Sequence, residues 1–117
     1  FTKVGATWTE QQDLRASDAQ SGDQFGIDVD ISNDGNLAII GSLADAPIAS
    51  GGVLYVFERV GSSWTEINKI TSPTPAAGDQ FSRGVALSED GNYAVVPDTL
   101  DDTNGSNSGR AYILKAG

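Results

Sequence analysis

From Phe25 to Ser32 the chain alternates, with Phe25, Ile27, Val29 and Ile31 on one side and Gly26, Asp28 and Asp30 on the other. That period of two is the signature of a β-strand. Asn33-Asp34-Gly35-Asn36 follows and reads as a tight hairpin turn, because Asp-Gly takes the positive φ such turns need. Leu37 to Gly41 and, after a longer polar loop, Val53 to Phe57 are apolar on both faces. The link Glu58 to Ser63 leads into Trp64 to Ile70, a half-polar strand with Trp64 and Ile70 expected on one side. Strands apolar on both faces must be covered on both faces, so the pattern predicts small antiparallel sheets stacked on one another. The more polar last strand belongs at an outer edge. Helical periodicity appears nowhere.

The pattern occurs twice. Trp8-Thr9-Glu10 returns as Trp64-Thr65-Glu66, Gly22-Asp23-Gln24-Phe25 as Gly78-Asp79-Gln80-Phe81, and Ser32-Asn33-Asp34-Gly35-Asn36 as Ser88-Glu89-Asp90-Gly91-Asn92, each 56 residues on. Gly52-Val53-Leu54-Tyr55-Val56-Phe57 returns as Gly109-Arg110-Ala111-Tyr112-Ile113-Leu114 at a spacing of 57, which places one inserted residue within Pro97 to Ser108. A repeat in the fifties fits one four-stranded propeller blade per unit. The expected fold class is all-β, with tandem four-stranded antiparallel blades of β-propeller type, incomplete within one chain.

These motifs, taken together, resemble the FG-GAP repeat, the blade unit of integrin-α-like propellers and of many secreted or surface proteins. Phe25-Gly26 stands for the "FG" pair, replaced by Phe81-Ser82 in the second copy; the "GAP" part is eroded to Gly41-Ser42-Leu43 and Val96-Pro97-Asp98. The resemblance implies calcium in an Asp-rich loop between the first two strands. The corresponding segments, Asp30 to Asn36 and Ala86 to Asn92, are short and lack a closing acidic residue after the Gly. Calcium takes six to eight oxygens, so plain hairpin turns are expected, and no cofactor.

Composition removes whole classes of function. With neither His nor Cys among 117 residues, Ser-His and Cys-His nucleophile pairs and the usual zinc ligands are excluded. A net charge of −9 with seven scattered Lys and Arg opposes binding to nucleic acid or to anionic membrane surfaces. No apolar run is long enough to span a bilayer. Paired carboxylates for glycosidase chemistry need a fixed separation across a pocket, and nothing in the spacing supplies it. The acidic surface, free of Cys and Met, suits an extracellular or cell-surface protein.

The remaining polar residues offer smaller expectations. Asp98, Asp101 and Asp102 form the densest acidic group and read as a solvated loop serving turns, the alternative being a cation site. Asp28 and Asp30 face a neighbouring blade where the second copy has Gly84 and Ala86, while Arg83 replaces Ile27. An ion pair between Arg83 and one of these aspartates across the stack is the expectation, because unpaired buried charge is costly; the alternative is that they lie at an exposed rim. Trp8 and Trp64 are expected to pack on their own sheets, the alternative being platforms for sugar stacking. Asn104-Gly105-Ser106 is an N-glycosylation sequon, and Thr71, Ser72 and Thr74 in the Pro-rich link are candidate O-glycosylation sites.

The copies are cut out of phase. Phe1 aligns with Phe57, which makes residues 1–14 a spare outer strand (Ala6 to Leu14) of a preceding blade, 15–70 a complete blade, and 71–117 a blade lacking its outer strand. Strand donation between copies would complete each blade, with Trp8 and Leu14 on the donor and Tyr112 and Leu114 on the acceptor. The expected function is a non-catalytic extracellular structural subunit, self-associating head to tail into a fibre or ring as a homo-oligomer or polymer. The alternative is an adhesion or carbohydrate-binding propeller module with glycan partners.

Overall fold

The computed structural model describes residues 1–43 and 51–117, and contains only strands, turns and loops. A short hairpin, β1 (Thr2–Val4) and β2 (Thr7–Thr9), precedes a four-stranded sheet of β3 (Val29–Ile31), β4 (Leu37–Ser42), β5 (Val53–Val60) and β6 (Ser63–Thr71). A three-stranded sheet follows, formed by β7 (Ala86–Leu87), β8 (Tyr93–Asp98) and β9 (Arg110–Lys115). All pairings are antiparallel between sequence neighbours. The chain is thus the expected all-β series of blade-like meanders, with the sheets not closed into a ring.

The two apolar faces of the first sheet go to different cores. Ile40, Val53, Tyr55 and Phe57 pack with Ala16, and with Leu14, Phe25 and Trp64 around them. Ile39 and Leu54 face the other way and pack against Phe81, Ala94 and Val96 of the second sheet, with Val56, Ile70, Val85, Leu87, Tyr112 and Leu114 closing the joint. Burying such side chains is worth roughly 1.5–3 kcal/mol each, so the joint between the sheets is held by a core of its own.

Three strands differ from the pattern. The expected strand at Phe25 to Ser32 is regular only over Val29–Ile31, because Gln24 and Gly26 both have positive φ (55° and 90°) and both Gly26 and Ile27 donate to the Gly41 carbonyl. The spare strand at Ala6 to Leu14 is regular only over Thr7–Thr9; beyond it the chain turns onto the first sheet, where Ala16 is buried and Leu14 half-buried. In β6, Trp64 and Ile70 lie on opposite faces, one in each core. The register between β5 and β6 slips between Val56 and Phe57, whose partners are Asn68 and Glu66. That β-bulge inserts Ile67 and reverses the side-chain parity beyond it.

Two glycines allow the sheets to meet. A Cβ on Gly41 would stand 2.1 Å from the Ser82 carbonyl oxygen, and one on Gly52 1.9 Å from that of Phe81. Here the second copy's Phe-Ser in place of Phe-Gly finds its reason. Ser82 keeps a left-handed φ of 66° at a cost of roughly 1–3 kcal/mol, and its buried hydroxyl donates to the Val53 carbonyl (2.5 Å) and accepts from the Ser42 amide (3.3 Å). Ser82→Ala keeps the backbone strain and deletes both bonds, whereas Ser82→Gly relieves the strain. Urea unfolding should therefore show Ser82→Ala destabilised by about 1–3 kcal/mol and Ser82→Gly by less.

Candidate functional site

The polar contacts across the joint are built from sequence period two. Asp28 and Asp30 project from the edge of the first sheet toward β7, whose outer amides have no strand partner. The Val85 N–H donates to Asp28 Oδ2 (2.8 Å) and the Leu87 N–H to Asp30 Oδ2 (2.7 Å). Two aspartates two residues apart thus serve two amides two residues apart. Arg83 takes no part: its guanidinium donates to Gln80 Oε1, and no ion pair joins it to Asp28 or Asp30 among the described residues. The expected Arg83 pair is corrected accordingly. The carboxylates do reach across the stack, but the backbone of β7 supplies their partners. Phe81 N to Gly51 O (3.0 Å) and Asn33 N to Glu89 O (2.8 Å) complete the joint.

Each end of the blade pair carries exposed apolar side chains. Val29 and Ile31, the counterparts of the packed Val85 and Leu87, are 59% and 53% exposed. On the second sheet, Tyr93, Val95 and Ile113 are exposed at the positions that in the first sheet hold Leu37, Ile39 and Val56, which face the joint. Among the described residues, no strand pairs with the edge of β9 away from β8, where β5 has β6. Between the sheets lies an open cleft of about 240 Å³, lined among others by Leu37, Ile67, Ile70, Leu87 and Leu114, and bordered also by Tyr93, the exposed first residue of β8. It is apolar and smaller than the ~300 Å³ at which small-molecule sites begin.

Other expected site residues fall in varied places. Trp64 packs on its own sheet, with its indole N–H on Gln11 Oε1 and its backbone held at both ends by the Gln12 amide. Trp8 does not: it is 63% exposed, with Lys3 Nζ over its ring. The register Lys3↔Trp8 of β1–β2 repeats Arg59↔Trp64 of β5–β6, so the N-terminal hairpin reproduces the tip of a blade's outer hairpin. Leu14, Tyr112 and Leu114, expected at an interface between copies, instead turn their side chains into the two internal cores. Asn104 is exposed in a turn, Thr71 is exposed at the end of β6, and Thr74 is exposed in the bend that follows. Ser72 is corrected as a glycan acceptor: it is buried and its hydroxyl donates to Asp98 Oδ2 (2.7 Å).

The acidic groups are of two kinds. Asp34 and Asp90 sit in the hairpin turns and are used by them. In each turn, Oδ1 accepts the hydroxyl of Ser32 or Ser88 and the amide of Asn36 or Asn92, and Oδ2 accepts the Asn side chain. These bonds hold both carboxyls below their ordinary value, the Ser hydroxyl contributing most. Short and self-satisfied, the turns do not fit the family's calcium loop. The loop acids are different: Asp98 and Asp101 are buried and only Asp102 is exposed, which corrects the solvated-loop reading. Asp79, a landmark of the repeat that carried no functional expectation, is buried beside them. Its signal was present in the sequence as the acid of Gly78-Asp79-Gln80-Phe81, without any cue to its neighbours.

The FG-GAP repeat model matches residues 8–57 and 64–114. The chain belongs to the FG-GAP repeat family. Neither the curated proteins nor the solved structures yield a match. Each matched FG-GAP unit begins on one sheet's outer strand and ends on the next sheet's third, so that residues 64–114 hold β6 together with β7, β8 and β9. Repeats of this family are typical of extracellular and surface proteins. Among the described residues, no helix is long and apolar enough to cross a membrane.

Because Asp34 and Asp90 have folded-state pKa values below the unfolded one, their stabilisation is full above the unfolded value and lost as pH falls through the lowered one. Asp34→Asn with Asp90→Asn keeps turn-forming residues yet removes that titration. The melting temperature of the double variant should fall less steeply than that of the natural chain between about pH 5 and pH 2, as followed by circular dichroism.

Proposed function

We propose that the chain is a non-catalytic structural module, acting outside the cell or at its surface, whose blade pair associates head to tail with a second copy. The carrying observation is that Val29 and Ile31 at one end of the pair and Tyr93, Val95 and Ile113 at the other are apolar and exposed, while their counterparts Val85, Leu87, Ile39 and Val56 pack inside the joint. Tyr93, Val95 and Ile113 of one copy are complementary in kind to Val29 and Ile31 of the next. Large exposed apolar patches mark interaction surfaces, and a head-to-tail contact propagates into rings or filaments.

The end faces lack two devices that tighten the internal joint. Pro97 pairs with Ala111 as Gly41 pairs with Leu54, so a side chain stands where the first sheet admits a neighbour's carbonyl. Gly84 and Ala86 replace Asp28 and Asp30, so the second sheet has no carboxylates for an incoming edge strand. Contact between copies is therefore weaker than the joint within one copy, and association is reversible.

Sedimentation across micromolar to millimolar concentrations should show species heavier than the 12.2 kDa chain, growing with concentration. Tyr93→Lys with Ile113→Lys should return the protein to monomer without unfolding it, since both positions are exposed. Pro97→Gly should strengthen association. A monomer at every concentration, or association unchanged by the two lysines, would remove the proposal.

A further inference from the structure

Among the described residues, a single buried side-chain oxygen lacks any hydrogen-bond partner: Asp98 Oδ1. Asp98 is 0% exposed and stands at the end of β8, away from the hairpin turn. One carboxylate oxygen from each of Asp79, Asp98 and Asp101 lies within 4.8 Å of the others, and Asp79 and Asp101 are also buried. The groups around them satisfy only part of this cluster. Ser72 Oγ donates to Asp98 Oδ2, the Ala76 amide to Asp79 Oδ2, and the Thr103 amide and hydroxyl to Asp101. Arg110 reaches Asp101 Oδ1 at 3.4 Å.

We propose that Asp79, Asp98 and Asp101 form a binding site for one divalent cation of the calcium, manganese or magnesium class. Two oxygens on one calcium ion, each 2.3–2.6 Å from it, are at most about 5 Å apart, which the observed cluster satisfies. Three carboxylates and one guanidinium leave two negative charges, and a divalent ion cancels them. Leaving a buried carboxylate oxygen without a donor costs free energy; a cation is the partner that the Asp98 oxygen lacks. The donors are all hard oxygens, with no nitrogen or sulfur ligand, which selects this class of metal.

The backbone holds the cluster in shape. Leu100 N donates to Asp79 O, Asp101 N to Asp98 O, and Gly109 N to Asp101 O. An ion there would fasten the entry to the second sheet, the end of β8 and the loop before β9, with Ser72 of the linker attached through Asp98. The first unit provides an internal reference. Asp23 is the counterpart of Asp79, and its Oδ2 likewise accepts an amide, from Gln20. Where the second unit has Asp98, the first has the buried Ser42, whose hydroxyl donates to the Asp23 carbonyl. A neutral hydroxyl is thus sufficient for the fold at this position, and a carboxylate is an addition peculiar to the second unit.

The test is thermal unfolding of the whole chain after chelation, with calcium, manganese or magnesium chloride added at millimolar concentration and ionic strength held constant. At least one ion should raise the melting temperature by about 5 °C or more. Asp98→Ser, which installs the residue found at Ser42, should fold and lose that rise; should it not fold, Asp79→Asn is read in the same way. Asp34→Asn with Asp90→Asn should keep the rise, because those turns lie at the other end of the sheet. The absence of a rise with all three ions, its persistence in the cluster variant, or its loss in the turn variant would overturn the site.

Discussion

The structure depends on how closely one small sheet can approach the next. A three- or four-stranded meander that is apolar on both faces needs both covered; one is covered when the backbone of its neighbour comes near enough to exclude water. Gly41 and Gly52 permit that approach by leaving room for the carbonyls of Ser82 and Phe81. Close approach in turn strands the outer amides of β7 away from water, and Asp28 and Asp30 accept them. Packing, glycine placement and half-buried carboxylates are therefore one solution to one problem. The side chains that look most like chemistry in the first unit serve the backbone.

The two units solve that problem differently, and the differences carry functional meaning. In the first unit, Gly41, Asp28 and Asp30 prepare a face for a neighbour; in the second, Pro97, Gly84 and Ala86 occupy those positions. The first unit closes its loop end with the neutral Ser42, and the second places Asp98 there among two other acids. Near-identical backbones thus present a tight joint on one side of the second sheet and a barer face on the other. An electrostatic feature occurs in the second unit where the first has a hydroxyl. The family relationship accounts for the shared frame, and the substitutions at these few positions account for what each end of the pair can bind.

Much of the fold was legible in the chain. The repeat of 56 residues, the alternation around Val29, the Asp-Gly turns and the doubly apolar strands all act over short range, and each has a direct local cause. Less was legible where one residue changes the parity of a strand. Ile67 creates a bulge that sends Trp64 and Ile70 to opposite cores, and no local preference in Ser63 to Thr71 announces it. The short spare strand is similar: Leu14 and Ala16 leave their extended path because an apolar face of the first sheet needs covering, a demand set elsewhere in the chain.

The sequence by itself determined the elements, their count and order, and the family, because these follow from periodicity and turn chemistry within a few residues. Tertiary structure alone decided which polar groups meet. Asp79 and Asp98 lie 19 positions apart, and only the return of β8 beside the entry to the sheet brings their carboxylates together. Arg83, whose charge invited a partner across the stack, is excluded because the amides of β7 are nearer and cannot be left dry. Burial sets the cost of an unpaired polar atom, and burial is a property of the assembled sheets.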